Sequence, residues 1–174
     1  TSPFYPLFAS LDVNAKMQEG KLGEKLWNDC LTVSTNARKK IIEKCKYIRP
    51  FIPETVQGKN WEEASTDEII SNLEYWKFNP DEKWHGFNGY GKDQYYIDPN
   101  KFLLTTPGID SKDDSYMNFG IPAVILANYL RENGIVPEKN DLNSILFLMT
   151  PAEDDAKMNN LISKLIQFEK YIDQ

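Results

Sequence analysis

The amino-acid sequence predicts an α+β fold in which helices pack on a small, mainly antiparallel sheet. Apolar residues recur at helical spacing in four segments, two near the start of the chain and two near its end. Short apolar runs, bounded by glycine, proline or asparagine, lie beside the last two of these segments. From about residue 102 onward the predicted order is β-α-β-β-α, which corresponds to a layer of helices on one sheet.

The first predicted helix begins at the start of the chain. Ser2 and Pro3 have the residue types of an N-cap and a first helical position, and Gly20 ends the helix. Its apolar residues fall at helical spacing. They are Phe4, Leu7, Phe8, Leu11 and Ala15.

A second, longer helix is predicted over about 22–47. The two prolines within 49–53 stop it, because a residue that precedes proline avoids the α region. We therefore place a domain boundary at this point. The predicted units are 1–49, which is helical, and 50–174, which is a small α+β domain.

Residues 50–100 show few clear periods, and we predict an irregular excursion there. The stretch from Leu73 to Phe78 fits either a strand or the end of a helix. A disordered segment would be poor in aromatic residues, whereas this one is rich in them, so we expect it to be ordered and packed. They include Trp61, Tyr75, Trp76, Phe78, Trp84, Phe87, Tyr90, Tyr95 and Tyr96.

The next segments complete one helix and its preceding strand. Residues 102–106 are predicted to be a strand that Pro107 and Gly108 end, and 109–118 a polar loop. Pro122 is predicted at the first position of a helix, where its missing N–H is not needed.

Gly134 is the predicted stop of that helix, and the remaining residues form two strands and the last helix. Residues 135–139 and 144–149 are the strands, and 144–149 is expected to be buried on both faces because its apolar run is unbroken. Residues 150–153, Thr-Pro-Ala-Glu, predict a capping box. The last helix carries the stripe Met158, Leu161, Ile162, Leu165, Phe168 and Ile172.

Composition excludes several classes of function. A net charge of −6 over 174 residues argues against nucleic acid or an anionic membrane as partner. No apolar stretch approaches the roughly 20 residues that span a bilayer, and no basic segment typical of a signal peptide opens the chain. Cys30 and Cys45 lie about 22 Å apart on one predicted helix, so they cannot pair. Buried free thiols favour a reducing cytoplasm.

Several ordered segments closely resemble the bacterial ornithine branch of the fold-type-I ornithine/lysine/arginine decarboxylase family. Three of them lie between 120 and 153: Gly-Ile-Pro-Ala, Leu-Arg-Glu-Asn-Gly-Ile-Val-Pro-Glu-Lys and Asp-Leu-Asn-Ser-Ile-Leu-Phe-Leu-Met-Thr-Pro-Ala-Glu. Others are Arg-Pro-Phe-Ile-Pro, Lys-Trp-His-Gly-Phe, Leu-Leu-Thr-Thr-Pro-Gly-Ile-Asp and the run from Ser2 to Lys16. The similarity extends along nearly the whole chain.

The resemblance implies a pyridoxal phosphate (PLP) enzyme that converts L-ornithine to putrescine and CO2. In this family the cofactor lysine follows a histidine, in a Ser-x-His-Lys motif, whereas the only histidine here, His85, precedes Gly86. The chain is therefore expected to be the C-terminal portion that follows the cofactor lysine. Residues 1–49 would end the large PLP-binding domain, and 50–174 would form the small domain.

Taken alone, such a chain is expected to be inactive, with no catalytic residue and no bound PLP. Its expected partners are the missing large domain and a second subunit in a homodimer, with a higher ring assembly possible, and neither nucleic acid nor membrane. Without the large domain, the helices over 3–48 are expected to expose apolar stripes that drive dimerisation or leave that region partly disordered.

Similarity to the family suggests that Glu138 contacts the distal amino group of the substrate. A carboxylate partly shielded from water would distinguish this ammonium from a neutral group. The alternative is a solvated charge, or an ion pair with Lys139 or Arg131.

By the same resemblance, Thr1 and Ser2 are weak candidates for the PLP phosphate of the partner subunit, with plain N-capping by Ser2 as the alternative. His85 could be a general acid/base, but a hydrogen-bonded structural role is preferred. No metal site is expected, because one histidine and two helical cysteines do not give tetrahedral ligand spacing.

Other functions stay open at this point. A lysine or arginine decarboxylase of the same family is the nearest alternative, and a non-catalytic partner subunit is another. A small RNA-binding module is opposed by the acidic charge.

Overall fold

The computed structural model describes residues 3–174. Within them are five α-helices and eight short strands. The helices are α1 Tyr5–Met17, α2 Gly20–Lys44, α3 Thr66–Ser71, α4 Ala123–Glu132 and α5 Asp155–Ile172. The strands are β1 Arg49–Pro50, β2 Thr55–Val56, β3 Lys59–Asn60, β4 Lys101–Thr105, β5 Ile109–Asp110, β6 Ser115–Tyr116, β7 Lys139–Asn140 and β8 Ser144–Leu148.

The principal sheet has four strands in the order β1-β4-β8-β7, and every neighbouring pair is antiparallel. Its centre is the β4–β8 pair, in which Leu104 lies opposite Ile145. The predicted β-α-β-β-α order of the second half is confirmed as β4, α4, β7, β8 and α5. The α+β fold class is confirmed with it.

One face of this sheet forms the main core. Phe102, Leu104, Ile145 and Phe147 point to that face and are buried against apolar residues of α2, α4 and α5. Five members of the stripe predicted for the last helix are in the same core at 6% exposure or less: Met158, Leu161, Ile162, Leu165 and Phe168. Burial of side chains of this size stabilises the fold by about 1.5–3 kcal/mol each.

A second core lies within the excursion. It is built on Trp61 and Trp76, whose rings meet edge to face with centroids 5.6 Å apart. Both indole N–H groups are bonded, that of Trp61 to the Tyr75 carbonyl and that of Trp76 to the Ile69 carbonyl. The segment is therefore ordered and packed, as its aromatic content predicted. Leu73–Trp76 is a short 3-10 helix.

Arg38 joins the two cores. Its guanidinium is only 1% exposed and lies between the Trp76 ring of the second core and the Phe102 ring of the main core, 5.1 and 4.6 Å from their centroids. Its N–H groups donate to Ser34 Oγ and to the Pro99 and Lys101 carbonyls. Burial lowers the pKa of Arg38 to about 9.

Glu169 of α5 binds the turn between α2 and β1. Its carboxylate accepts three backbone N–H bonds, from Lys46 at 2.7 Å and from Tyr47 and Ile48 at 2.8 Å. The side chain is buried, so these charge-assisted bonds replace its lost hydration. They fix the direction in which the chain leaves α2 and enters the sheet.

Helix α1 has no buried residue. Its large apolar side chains, including Tyr5, Leu7, Phe8, Leu11 and Val13, are each more than half exposed. The predicted exposure of apolar stripes therefore holds for α1. It fails for α2 from Cys30 onward, where Cys30, Ala37 and Ile41 are part of the main core.

Three predicted helix starts are displaced. Helix α1 begins at Tyr5 with Phe4 as its N-cap, so Pro3 is not its first helical residue. Pro122 is the N-cap of α4 rather than its first helical residue, because its ψ of 127° is not helical. The capping box at 150–153 forms a turn instead, and α5 begins at Asp155. Asp154 outcompetes Thr150 as the cap, since its side chain accepts the Lys157 N–H at 2.8 Å.

Three strand predictions also need correction. Strand β8 alternates between buried and half-exposed residues, so it is not buried on both faces. Residues 135–138 lie outside β7. The predicted polar loop contains the β5–β6 hairpin.

Replacement of Glu169 tests the importance of the bound turn. In Glu169→Gln the side chain loses its charge and turns an amide donor toward backbone donors, so we expect the free energy of unfolding to fall by about 3 kcal/mol. Urea denaturation measures this change. Glu24→Gln, at an exposed position of α2, is the control and should change it by less than about 0.5 kcal/mol. Equal stability of the two variants would contradict the role given to Glu169.

Candidate functional site

Glu138 lies at the entry to β7, next to the buried Pro137. Its backbone N–H donates to the Leu146 carbonyl at 2.9 Å, which ties it to the sheet, and its side chain is exposed. Within residues 3–174 its carboxylate makes no ion pair and accepts no side-chain hydrogen bond. The neighbouring Arg131 donates instead to Asn128 and Asn140. The carboxylate is therefore available to an outside group.

The turn that follows β7 is held by Asn143. Its side-chain amide donates to the Pro107 carbonyl at 2.6 Å, and its backbone carbonyl accepts the Thr106 N–H at 3.0 Å. The Pro107 carbonyl also accepts the Ile121 N–H at 2.8 Å. The ends of β4, of the β7–β8 hairpin and of the segment before α4 thus meet at one point.

Two glycines permit this close meeting. Gly108 has a φ of 143°, and a Cβ there would lie 2.5 Å from the side-chain nitrogen of Asn143. A Cβ on Gly120 would lie 3.2 Å from the Gly108 Cα. The backbone therefore fills the space that side chains would need. This end of the sheet supports strand β7, which begins directly after Glu138.

A hollow of about 300 Å3 lies on the other face of the sheet, beside β7. Leu103 and Leu146 give it apolar surface, and Lys101, Lys139 and Asp141 bring charges to it. Its volume is at the lower end for sites that hold small molecules.

His85 is 3% exposed, and both ring nitrogens have partners. Nδ1 accepts the Phe87 N–H at 3.0 Å, so the proton of a neutral ring belongs on Nε2, which lies 2.9 Å from the Asn79 carbonyl and 3.0 Å from the Tyr90 hydroxyl. The ring also stacks on Phe87. These contacts agree with the structural role that was preferred from the sequence.

Lys77 and Lys39 do not have the surroundings that a Schiff base with PLP requires. Such a lysine must lose its proton to act as a nucleophile. Lys77 is 5% exposed, but its ammonium is bonded to Asp93 at 2.6 Å and to Glu74. Those bonds raise the pKa of Lys77. Burial lowers the pKa of Lys39, yet its Nζ donates to the Ala64 carbonyl. Neither lysine thus fits a Schiff-base site for this cofactor.

The remaining candidates are reported as the structure has them. Thr1 and Ser2, predicted to approach a PLP phosphate, lie outside the described residues. Across 3–174 no three histidine, cysteine or acidic side chains come together as metal ligands would. Cys30 and Cys45 are buried and unpaired, and burial raises the pKa of Cys45 to about 12. Every helix in the described part is too short or too polar to span a bilayer.

The model of one protein family matches residues 1–157, and it is described as "Orn/Lys/Arg decarboxylase, major domain". The chain belongs to the Orn/Lys/Arg decarboxylase family. The match runs through residue 50 without a break. The predicted boundary there is untested and stays a prediction.

Relatives of this decarboxylase-family chain include an ornithine decarboxylase and a lysine decarboxylase. It is 58% identical to the inducible ornithine decarboxylase of Lactobacillus sp. (strain 30a), covering all of this chain and 24% of the relative. It is 34% identical to the inducible lysine decarboxylase of Escherichia coli (strain K12), covering 99% of this chain and 23% of the relative. The chain thus spans about a quarter of the length of these proteins.

A solved structure has the same fold. The lysine decarboxylase of Francisella novicida superposes with a TM-score of 0.82 at 30% identity, covering 98% of this chain and 22% of that protein.

Sequence reasoning missed Asn143 as the residue that joins three segments. Three short segments carry the signal that could have shown this meeting point: Thr-Thr-Pro-Gly at 105–108, Phe-Gly-Ile-Pro at 119–122 and Asp-Leu-Asn-Ser at 141–144. Two of them contain glycine and proline, which permit a close approach of backbone segments.

Asp93→Asn tests the ion pair that the buried Lys77 makes with the half-exposed Asp93 in the excursion. The hydrogen bond from Lys77 lowers the pKa of Asp93, so this carboxylate stabilises the fold at pH above its ordinary pKa of about 4 and loses that effect as the pH falls. Asparagine tolerates the left-handed backbone here, with φ 62°. We expect the variant to unfold at a lower urea concentration than the wild type at pH 7.

The difference should shrink as the pH falls below about 4, where the wild-type carboxylate takes up its proton. Asp81→Asn, at an exposed position, is the control. It should unfold at the same urea concentration as the wild type at every pH. If Asp93→Asn and the wild type differed in their unfolding urea concentration by the same amount from pH 7 to pH 3, the ion pair could not be the cause of the difference.

Proposed function

We propose that this chain is part of a PLP-dependent ornithine decarboxylase, a cytoplasmic lyase that converts L-ornithine to putrescine and CO2 for polyamine biosynthesis. The observation that carries the proposal is the difference in identity, 58% to an ornithine decarboxylase against 34% to a lysine decarboxylase over the same chain. Lysine decarboxylation is the second candidate, supported by the structural likeness to such an enzyme.

In this proposal the chain positions substrate and subunits, while PLP, bound elsewhere in the complete enzyme, supplies the electron sink. The exposed apolar helix α1 supports the view that the chain packs against further protein, either the rest of the same polypeptide or a second subunit of a homodimer. A ring built from such dimers is an extension of the same proposal.

The proposed role of Glu138 is to bind the distal ammonium of ornithine. Three observations support it: the carboxylate has no partner among residues 3–174, the backbone N–H is anchored on β8, and the adjoining hairpin is fixed by Asn143. An anchored carboxylate can meet an ammonium without being reoriented. In a closed site, a hydrogen bond between two charged groups is worth about 1.5–3 kcal/mol.

The first test is CO2 release by the complete protein with PLP, given L-ornithine, L-lysine and L-arginine in parallel. Preference for ornithine is the expected result. Preference for lysine or arginine would agree with the family assignment but contradict ornithine as the substrate. No CO2 from any of the three, and no PLP absorbance, would instead indicate a non-catalytic partner subunit.

Glu138→Gln tests the proposed substrate contact. We expect kcat/KM for ornithine to fall about tenfold to hundredfold, because about 1.5–3 kcal/mol of ammonium binding is lost. We also expect the variant to lose its discrimination against norvaline, which lacks the distal amine. Steady-state kinetics with both amino acids measures this.

The matched control is Glu132→Gln, at the exposed last residue of α4. This variant should leave kcat/KM for ornithine and for norvaline unchanged. If Glu138→Gln behaves like this control, Glu138 is a solvated charge and the contact is wrong.

A further inference from the structure

The principal sheet has a second face, opposite the main core, which is here called the outer face. It carries the alternate residues of the central strands. They are Lys101, Leu103 and Thr105 of β4, Ser144, Leu146 and Leu148 of β8, and Lys139 of β7. The hollow of about 300 Å3 lies on this face, and every residue that lines it belongs to β4, β7, β8 or the turn between the last two strands. No other described element covers the sheet at this point.

The centre of the outer face is apolar. The strand register places Leu103 opposite Leu146 and Leu146 opposite Lys139, so a row of two leucines and one lysine crosses three strands. Leu103 and Leu146 are half-buried, and Leu148, further along β8, is 40% exposed. An antiparallel sheet that meets water on one face carries polar residues there. The central leucines therefore indicate a further layer.

The apolar centre is flanked by two lysines without acidic partners. Within residues 3–174, neither Lys101 nor Lys139 forms an ion pair. The one carboxylate that lines the hollow is that of Asp141, which accepts the Leu142 N–H at 2.8 Å. Two ammonium groups against one carboxylate leave a formal charge of +1, whereas the whole chain carries −6. A layer that complements this charge is acidic.

The geometry of the sheet sets the spacing of the two lysines. Lys101 and Lys139 are two strands apart and two residues out of register, which places their Cα atoms about 12 Å apart. Carboxylates two turns apart on a helix are separated by about 11 Å. A helix that carries an apolar side chain between two such carboxylates would fill the hollow and meet both ammonium groups.

Two other occupants fit the outer face less well. A small molecule would lie on a floor without walls, because one sheet alone lines the hollow, and much of the molecule would stay in water. A second copy that docked by the same face across a two-fold axis would set lysines against lysines. The observations favour an acidic element of different sequence.

We propose that an acidic amphipathic helix of the same polypeptide covers the outer face in the complete protein. Its carboxylates pair with Lys101 and Lys139, and its apolar side chain packs on Leu103 and Leu146. Helices commonly form the layer that covers a sheet. The inference rests on the proposed function, in which this chain is one part of a longer enzyme, and the chain covers only 24% of an ornithine decarboxylase relative.

Lysine acetylation of the complete protein, read by mass spectrometry, tests whether the outer face is covered. An ammonium held by a carboxylate under a helix yields little neutral amine, so we expect Lys101 and Lys139 to react about tenfold more slowly than in the urea-unfolded protein. Lys59 is the control, because it is exposed on β3, and its rate should differ little between the two states. Native rates of Lys101 and Lys139 equal to their unfolded rates would overturn the proposal.

Zero-length carbodiimide cross-linking identifies the occupant. In a reassociated mixture of isotope-labelled and unlabelled complete protein, we expect Lys101 and Lys139 to link to aspartate or glutamate of one segment outside residues 1–174 of the same polypeptide. Links between labelled and unlabelled chains would assign the face to a second copy and overturn the proposal. Links confined to residues 1–174, or no links at all, would overturn it too.

Charge reversal tests the ion pairs by stability. Lys101→Glu combined with Lys139→Glu should lower the urea midpoint of the complete protein, and replacing the cross-linked carboxylates by lysine in that variant should restore it. Lys59→Glu should leave the midpoint unchanged. A double variant as stable as the wild type would contradict the proposed pairs. None of these readouts involves CO2 release, so a failure here is distinguishable from a failure of the proposed function.

Discussion

The fold depends on a carboxylate that binds backbone. Just beyond α2, the three consecutive residues Lys46, Tyr47 and Ile48 turn their N–H groups inward, toward α5. Glu169 reaches them from α5, more than 120 residues later in the chain, and accepts all three. A buried carboxylate without these donors, or the donors without the carboxylate, would cost several kcal/mol. This contact fixes the angle between α2 and the first strand, and with it the positions of α5 and the sheet between which the main core forms.

Arg38 shows the same principle with the opposite charge. A cation at 1% exposure with no carboxylate bonded to it is expensive to bury, and here carbonyl oxygens and two aromatic faces replace water. Because one ring belongs to each core, the desolvation of Arg38 is compensated only when both cores have formed. The aromatic segment and the sheet are therefore coupled although they share few apolar contacts.

Local patterns predicted the elements of this chain well and their tertiary contacts poorly. The stripe of α5, the stop at Gly134 and the order of the strands follow from short-range periodicity. The start of α5 does not, because Thr150 and Asp154 offer rival caps and only the packed helix decides between them. Glu169, Arg38 and Asn143 were missed because their partners are remote in sequence or are backbone atoms, which every residue shares. The anchoring of Glu138 was missed for the same reason, because its N–H donates to the Leu146 carbonyl, a backbone atom.

The two ends of the excursion lie next to each other. Strand β1 ends at Pro50, which stands opposite Leu104 of β4, so the chain leaves the sheet and returns to it on adjacent antiparallel strands. In topological terms the intervening residues are an overgrown hairpin loop. The entropy needed to close such a loop rises only slowly with its length. A change in the length of this segment would thus leave the register of the sheet intact, provided that the Trp76 ring still covers Arg38.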